Sequence, residues 1–284
     1  MFDRAKLTAL QLLPKNAVSR ALGFISDVPL PSGVRTVVNS GFASAAGIDV
    51  SEAERAPGSY SSLNAFFTRR LKEGSRDIDS TQNDRLVSPC DGRLSHFGPI
   101  TRQTLVQAKG RDYRLVDLLD SGGDAAAFVD GHFATIYLSP RDYHRVHFPV
   151  SGSAVKVAYI PGHLFPVNPF AVENVDQLFA VNERLITYVE NDLMGRVGVV
   201  MVGATCVGRM TLDFHEHVTN GHLRRREDFE LSTPLEFMAG DELGMFNLGS
   251  TVVLVIANNK FRFDSHLSEG QPVRMGQRLG HVQA

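Results

Sequence analysis

Four short stretches hold residue types that do acid–base, nucleophilic or metal chemistry. Ser88-Pro89-Cys90-Asp91-Gly92 sets a carboxylate before a glycine at the end of a β-like run. An Asp-Gly pair is ordinarily a turn, and Cys90 alone is a small buried residue. Ser139–His147 (SPRDYHRVH) carries His144 and His147, which can face one site if the backbone there is helical or turned. Histidine is the natural acid–base group near neutrality. Arg141 and Arg145 can hold a phosphate or carboxylate, or pair with Asp142. Phe246–Thr251 (FNLGST) puts Ser250 at the mouth of a valine-rich strand. It is not G-x-S-x-G, so the nucleophile elbow is absent, and Gly-Ser-Thr is by itself a turn. Asp91, His147 and Ser250 have the residue types of a nucleophilic triad, but triads are defined by geometry and spacing does not show that these meet. His215-Glu216-His217 competes: on a strand both rings share a face, a zinc arrangement if a third ligand joins. With no third ligand visible, an exposed polar strand or loop is the plainer reading.

The remaining chain must position these groups. Its 284 residues, 43% hydrophobic and 21% charged, supply a core and exclude dominant disorder. A net charge of -2 gives no basic field for nucleic acid. Two cysteines, Cys90 and Cys206, exclude a disulfide scaffold and an all-cysteine zinc site. Lysine is scarce against arginine, so lysine-dependent cofactor chemistry has few candidates. No apolar run reaches the roughly 18 residues that cross a bilayer. Arg4 and Lys6 precede four leucines, but polar residues and Pro14 interrupt them and no cleavage site follows, which argues against a signal peptide.

The N-terminus reads instead as two short amphipathic helices broken near Pro14, with Val18, Ala21, Leu22 and Ile25 on one stripe. With Arg4, Lys6, Lys15 and Arg20, this segment can lie in an anionic membrane interface or pack on its own core. A loop at Pro29–Ser32 leads into residues 33–56, helical in part. Ser61 or Ser62 caps a helix through Leu63, Phe66, Phe67 and Leu71. After Asp84, β-like runs recur at Arg85–Ser88, Thr104–Ala108, Ala134–Leu138, Ala154–Tyr159, Leu185–Val189, Val197–Gly203, Thr205–Leu212 and Thr251–Ile256. The expected class is α+β: a helical region over residues 1–75 and a β-rich body over residues 76–284. Val273–Gly280 reads like the closing hairpin of a lipoyl- or biotinyl-type barrel-sandwich, an analogy of fold alone.

Six stretches run in the order of one family: Ser62–Leu71 (SLNAFFTRRL), Ser88–Gly92 (SPCDG), Tyr137–Pro149 (YLSPRDYHRVHFP), Val181–Thr187 (VNERLIT), Val202–Gly208 (VGATCVG) and Glu242–Thr251 (ELGMFNLGST). In these the chain resembles a bacterial phosphatidylserine decarboxylase of the pyruvoyl-dependent, membrane-associated type. The histidine block and L-G-S-T are highly specific together.

The resemblance implies a proenzyme that cuts itself between Gly249 and Ser250. The products are a β chain, residues 1–249, and an α chain, residues 250–284, headed by a pyruvoyl group made from Ser250. In that scheme Ser250 Oγ attacks the Gly249 carbonyl, and the resulting ester eliminates to dehydroalanine, which hydrolyses to pyruvoyl and ammonia. A serine hydroxyl needs a base; the resemblance implies His147, oriented by Asp91. It implies His144 as proton donor in the decarboxylation. The pyruvoyl ketone would form a Schiff base with the substrate amine and accept the electrons left by CO2, a role natural side chains do not fill. The implied substrate is phosphatidylserine and the product phosphatidylethanolamine, with no metal. The N-terminal helices become an interfacial anchor, monotopic on the cytoplasmic face of the inner membrane, and the oligomer a homodimer.

Three rivals stay open on residues alone. A zinc metallopeptidase would use His215, His217 and a third ligand. A non-catalytic, membrane-associated β-domain would keep an intact chain without a carbonyl. An ordinary serine hydrolase would use the same triad uncut.

Overall fold

A computed structural model describes residues 14–79, 83–108, 110–205, 209–217, 219–220, 225–247 and 250–283. The helix expected before Pro14, Cys206, and the Leu248-Gly249 pair lie outside the described residues. The class is α+β, mostly sheet with a few helices.

Pro14 precedes α1 (Lys15–Asp27), where the missing proline N–H costs nothing. α2 (Ser32–Ala46) follows Pro31 and stops at Gly47, whose φ of 73° is the left-handed conformation glycine adopts freely. These two helices turn their apolar sides outward. The side of α1 against the body carries Lys15, Ser19 and Ser26, all buried. Lys15 Nζ lies 4.1 Å from the Phe165 ring centroid, and the Asn16 amide donates to the Gly162 carbonyl at 3.0 Å. Phe24 and Ile25, on the other side, are 76% and 65% exposed. α2 repeats the pattern: Asn39 and Ala43 are buried while Val37 is 73% exposed.

Ser62 caps α3 (Leu63–Phe67) by accepting from the Ala65 N–H at 3.1 Å. The helix is shorter than its apolar spacing suggests. Lys72 N–H bonds to the Glu52 carbonyl and Glu54 N–H to the Arg70 carbonyl, both at 2.9 Å. These bonds draw residues 70–72 alongside 52–54, so Leu71 joins a bridge with Ala53 and not the helix.

Among the described residues the body has sixteen strands. They are β1 (Arg85–Val87), β2 (Gly92–Pro99), β3 (Thr104–Ala108), β4 (Arg111–Arg114), β5 (His132–Leu138), β6 (Arg145–His147), β7 (Gly152–Ile160) and β8 (Arg184–Asn191). There follow β9 (Gly195–Val202), β10 (Arg209–Leu212), β11 (Glu227–Phe237), β12 (Glu242–Asn247), β13 (Ser250–Ile256), β14 (Phe261–Phe263), β15 (Pro272–Val273) and β16 (Arg278–Val282). Eight form one antiparallel sheet in the order β11-β7-β8-β9-β13-β5-β2-β15. β13 is buried along its whole length, between β9 and β5. Both its faces are covered, which is why it reads as a continuous apolar run instead of an alternation. Two three-stranded sheets, β10-β12-β6 and β1-β16-β14, and the hairpin β3-β4 complete the body.

Two sequence readings need correction. The strand expected over Thr205–Leu212 is described only from Arg209. Val273–Gly280 is not a self-paired hairpin: β15 pairs with β2, while β16 pairs with β1 and β14. The turn between them joins two sheets.

Candidate active site

β12 ends at Asn247 in one sheet and β13 begins at Ser250 in the centre of another. Ser250 sits at that crossing, 1% exposed and paired with Leu138. Its Oγ has no hydrogen-bond partner among the described residues. Leaving a buried hydroxyl unpaired costs on the order of 1–3 kcal/mol, so the position is held by the strand ladder and not by its own side chain. A keto group there has no O–H to satisfy, and residue 250 therefore fits conversion to pyruvoyl.

His144 precedes β6 and is 0% exposed. Its carbonyl accepts from the Phe246 N–H at 3.0 Å, tying it to β12. Nδ1 lies 2.8 Å from the Asp142 carbonyl and so carries the proton. Nε2 then presents a lone pair, buried and unpartnered. The ring lies 4.0 Å from that of Phe67, centroid to centroid. Burial pushes the His144 pKa down to about 3, with the Asp142 carbonyl opposing and Arg69 adding to the fall.

His147 lies in β6. Its Nδ1 donates to the Gly240 carbonyl at 2.7 Å, and Nε2 accepts from the Tyr143 hydroxyl at 3.1 Å. Burial lowers its pKa as well, against the Gly240 carbonyl, Glu242 and Asp91. β6 is extended over Arg145–His147, and His144 stands just before it, after the turn at Arg141-Asp142, so the two histidines are not on one helix.

Asp91 accepts from Arg76 Nε and from the Met275 N–H, each at 2.9 Å, and Arg76 also binds Glu52 at 2.8 Å. The Asp91 carboxylate thus reaches His147 through space and not through a hydrogen bond. The residues expected as a triad are all buried; Asp91 and His147 are engaged with separate partners, and among the described residues nothing bonds the Ser250 hydroxyl. Gly92 opens β2 instead of making a turn. A Cβ there would stand 2.6 Å from the Tyr137 carbonyl oxygen, so only glycine fits. Cys90 is fully buried, and burial raises its thiol pKa well above normal, which makes it unreactive.

A cavity of about 670 Å³ opens beside Asp91 and Gly92, its wall including Arg69, Arg76, Tyr137, Asp142 and Tyr143. At one side it touches Ala46 and Gly47, where α2 ends. A second cavity of about 580 Å³ shares Arg93 and Tyr137 with it and is lined by Thr251, Val167, Val172 and Phe179. Sequence reading missed Arg76, which no motif marks and which lies far along the chain from Met275. It quoted Tyr143 and Arg69 inside motifs without assigning either a role.

His215 and His217 lie in a bend and coil, not on a strand. Both pack on the Phe229 ring, at 4.8 and 5.3 Å, and His217 also stacks 4.4 Å from Tyr159. Among the described residues no third His, Cys, Asp or Glu completes a metal-binding group with them.

The family model for phosphatidylserine decarboxylase matches residues 63–281. A phosphatidylserine decarboxylase proenzyme of Anaeromyxobacter sp. (strain K) is 45% identical over 99% of this chain and 99% of its own. Those of Myxococcus xanthus (strain DK1622) and Brevibacillus brevis (strain 47 / JCM 6285 / NBRC 100599) are 41% and 40% identical, over 99% and 96% of this chain and 100% and 96% of their own. These matches make the protein a carboxy-lyase. The chain belongs to the phosphatidylserine decarboxylase family.

Proposed function

We propose that this chain is a self-processing enzyme that decarboxylates phosphatidylserine to phosphatidylethanolamine and CO2 in phospholipid synthesis. Family membership supports the reaction. The observation that carries the processing is the buried, unpartnered Ser250 hydroxyl at the first residue of β13. Ser250 Oγ adds to the Gly249 carbonyl, and the amide nitrogen leaves to give an ester. Loss of the Cα proton expels the carboxylate of residues 1–249. The dehydroalanine left at position 250 takes up water and releases ammonia, which leaves the keto group. His147 serves as base for the hydroxyl. It is neutral at rest, and the nearby Asp91 charge favours the proton it gains.

A pyruvoyl group at position 250 supplies a carbonyl that takes up the substrate amine and an acceptor for the electrons freed when CO2 leaves. His144 manages the proton. Its Nδ1–H is held by Asp142, so Nε2 takes a proton from the substrate ammonium and returns it to the α-carbon after CO2 departs. A base that becomes the acid suits a histidine that burial keeps neutral.

The substrate is a membrane lipid, and α1 and α2 present an apolar face with polar residues turned inward. No helix among the described residues is long and apolar enough to cross a bilayer. We read the pair as an interfacial anchor holding the enzyme peripherally on the cytoplasmic face of the inner membrane. Denaturing mass spectrometry tests the central reading. Wild type should give residues 1–249 and 250–284 separately, the smaller piece reacting with a carbonyl reagent. Ser250→Ala should stay whole and make no phosphatidylethanolamine. An intact wild-type chain that decarboxylates would overturn the proposal.

A further inference from the structure

Two arginines in the wall of the larger cavity are treated in opposite ways. Arg76 is clamped by two carboxylates, Asp91 and Glu52. Arg69 is 3% exposed, and among the described residues no carboxylate forms an ion pair with it. Among the described residues its hydrogen bonds are long ones to backbone carbonyls: Phe67 at 3.4 Å, Arg141 at 3.2 Å and Asp142 at 3.4 Å. Its Nε is buried with no partner. The acidic groups of the same wall are committed elsewhere. Asp91 and Glu52 bind Arg76, and Asp142 accepts from the Ser139 N–H and hydroxyl. A buried guanidinium with no directly paired carboxylate, held by long carbonyl bonds and the Phe66 ring 5.5 Å away, is costly. An anion entering the cavity would relieve that cost.

We infer that Arg69 receives the phosphodiester of the substrate headgroup, an assignment that rests on the decarboxylase reading above. The planar guanidinium fork matches a phosphate better than an ammonium would. The reach is right. Arg69 Nη2 and His144 Nδ1 both bind the Asp142 carbonyl oxygen, so guanidinium and imidazole share one acceptor. In phosphatidylserine only an ester oxygen and a methylene separate phosphorus from the α-carbon. A phosphate on Arg69 therefore delivers that carbon to the neighbourhood of His144. The substrate carboxylate is the poorer candidate. A cation paired with it would stabilise the ground state and lose its partner as neutral CO2 forms, which slows the reaction. The phosphodiester keeps its charge throughout. The cavity also touches the end of α2, beside the outward apolar face where a lipid would lie.

The test uses processed enzyme, phosphatidylserine in mixed micelles and two soluble inhibitors. Glycerophosphoethanolamine has the phosphodiester and no carboxylate; O-methylserine has the carboxylate and no phosphate. In Arg69→Gln, the inhibition constant of glycerophosphoethanolamine should rise at least tenfold and that of O-methylserine less than threefold. KM for phosphatidylserine should rise with the first. Arg69→Lys keeps the charge but loses the fork, and should show the same pattern more weakly; it replaces the glutamine variant if that one fails to fold or to cut itself. The reverse pattern would assign Arg69 to the carboxylate and overturn the inference. So would equal inhibition of wild type and variant by both compounds. Wild-type turnover is the separate control: if it is absent, the decarboxylase reading itself has failed.

Discussion

In the proposed mechanism His144 must stay neutral to begin its task, and burial enforces that at a cost that depends on pH. Its pKa is lowered from 6.5 to about 3 in the folded chain. The unfolded chain therefore binds the extra proton first. The stability His144 contributes is whole above pH 6.5 and is lost as pH falls toward 3, at up to about 1.4 kcal/mol per pH unit. His147, also lowered, adds to the same slope. Urea midpoints of Ser250→Ala between pH 7 and pH 4 should fall steeply, and adding His144→Asn should flatten the curve; an unchanged curve would mean the ring is not held neutral. In the otherwise native chain His144→Asn should still cut itself and decarboxylate poorly. Arg76 offers a second residue-scale test. Arg76→Met leaves the buried Asp91, and the half-buried Glu52 beside it, without their shared cation and should cost about 3–5 kcal/mol. A loss below 1 kcal/mol, read from the same melts, would show that water already solvates both carboxylates.

At the scale of elements, Asn64 in α3 ties the outer helix to the processing strand. Its amide donates to Asp27, the last residue of α1, at 2.7 Å and to Asn247, the last residue of β12, at 2.8 Å. Asn64→Ala should therefore speed hydrogen exchange across residues 15–27 and slow the cut at Gly249 together. A change in one without the other would mean the two ends are not coupled. Phe24→Asp with Ile25→Asp should weaken binding to anionic liposomes without lowering the melting temperature, because neither side chain packs on the body.

The same elements show what a sequence can and cannot disclose. β5, β8, β9 and β13 were legible because burial on both faces makes them dense in β-branched and apolar residues. β11 was not: it is an edge strand, polar and largely exposed, with Pro234 inside it. The Ser62 cap was legible as a local signal, but the early stop of α3 comes from bonds to residues 52–54 that no local rule supplies. The histidines and Ser250 stood out through their motifs. The Gly240 partner of His147, and Arg76 on Asp91, depend on how distant segments pack. The outward turn of α1 was invisible too, since an amphipathic stripe does not say which side the protein keeps.

At the scale of the whole molecule, the expected cut falls where the chain crosses from one sheet to another. The residues after it are woven in. β13 pairs with β9 and β5, β15 with β2, and β16 with β1. The small chain should therefore stay bound through gel filtration and separate only in denaturant; loss under native conditions would contradict this pairing. A further consequence concerns reversibility. The precursor assembles its sheet with β13 delivered by a tether, whereas the two mature pieces would have to find each other in solution and thread a strand into the middle of a closed ladder. Ser250→Ala should regain its near-ultraviolet circular dichroism on dilution from urea, and the mature enzyme should not. Processing would then work as a ratchet: the active form is reached only through its precursor, and an unfolded copy must be replaced by new synthesis.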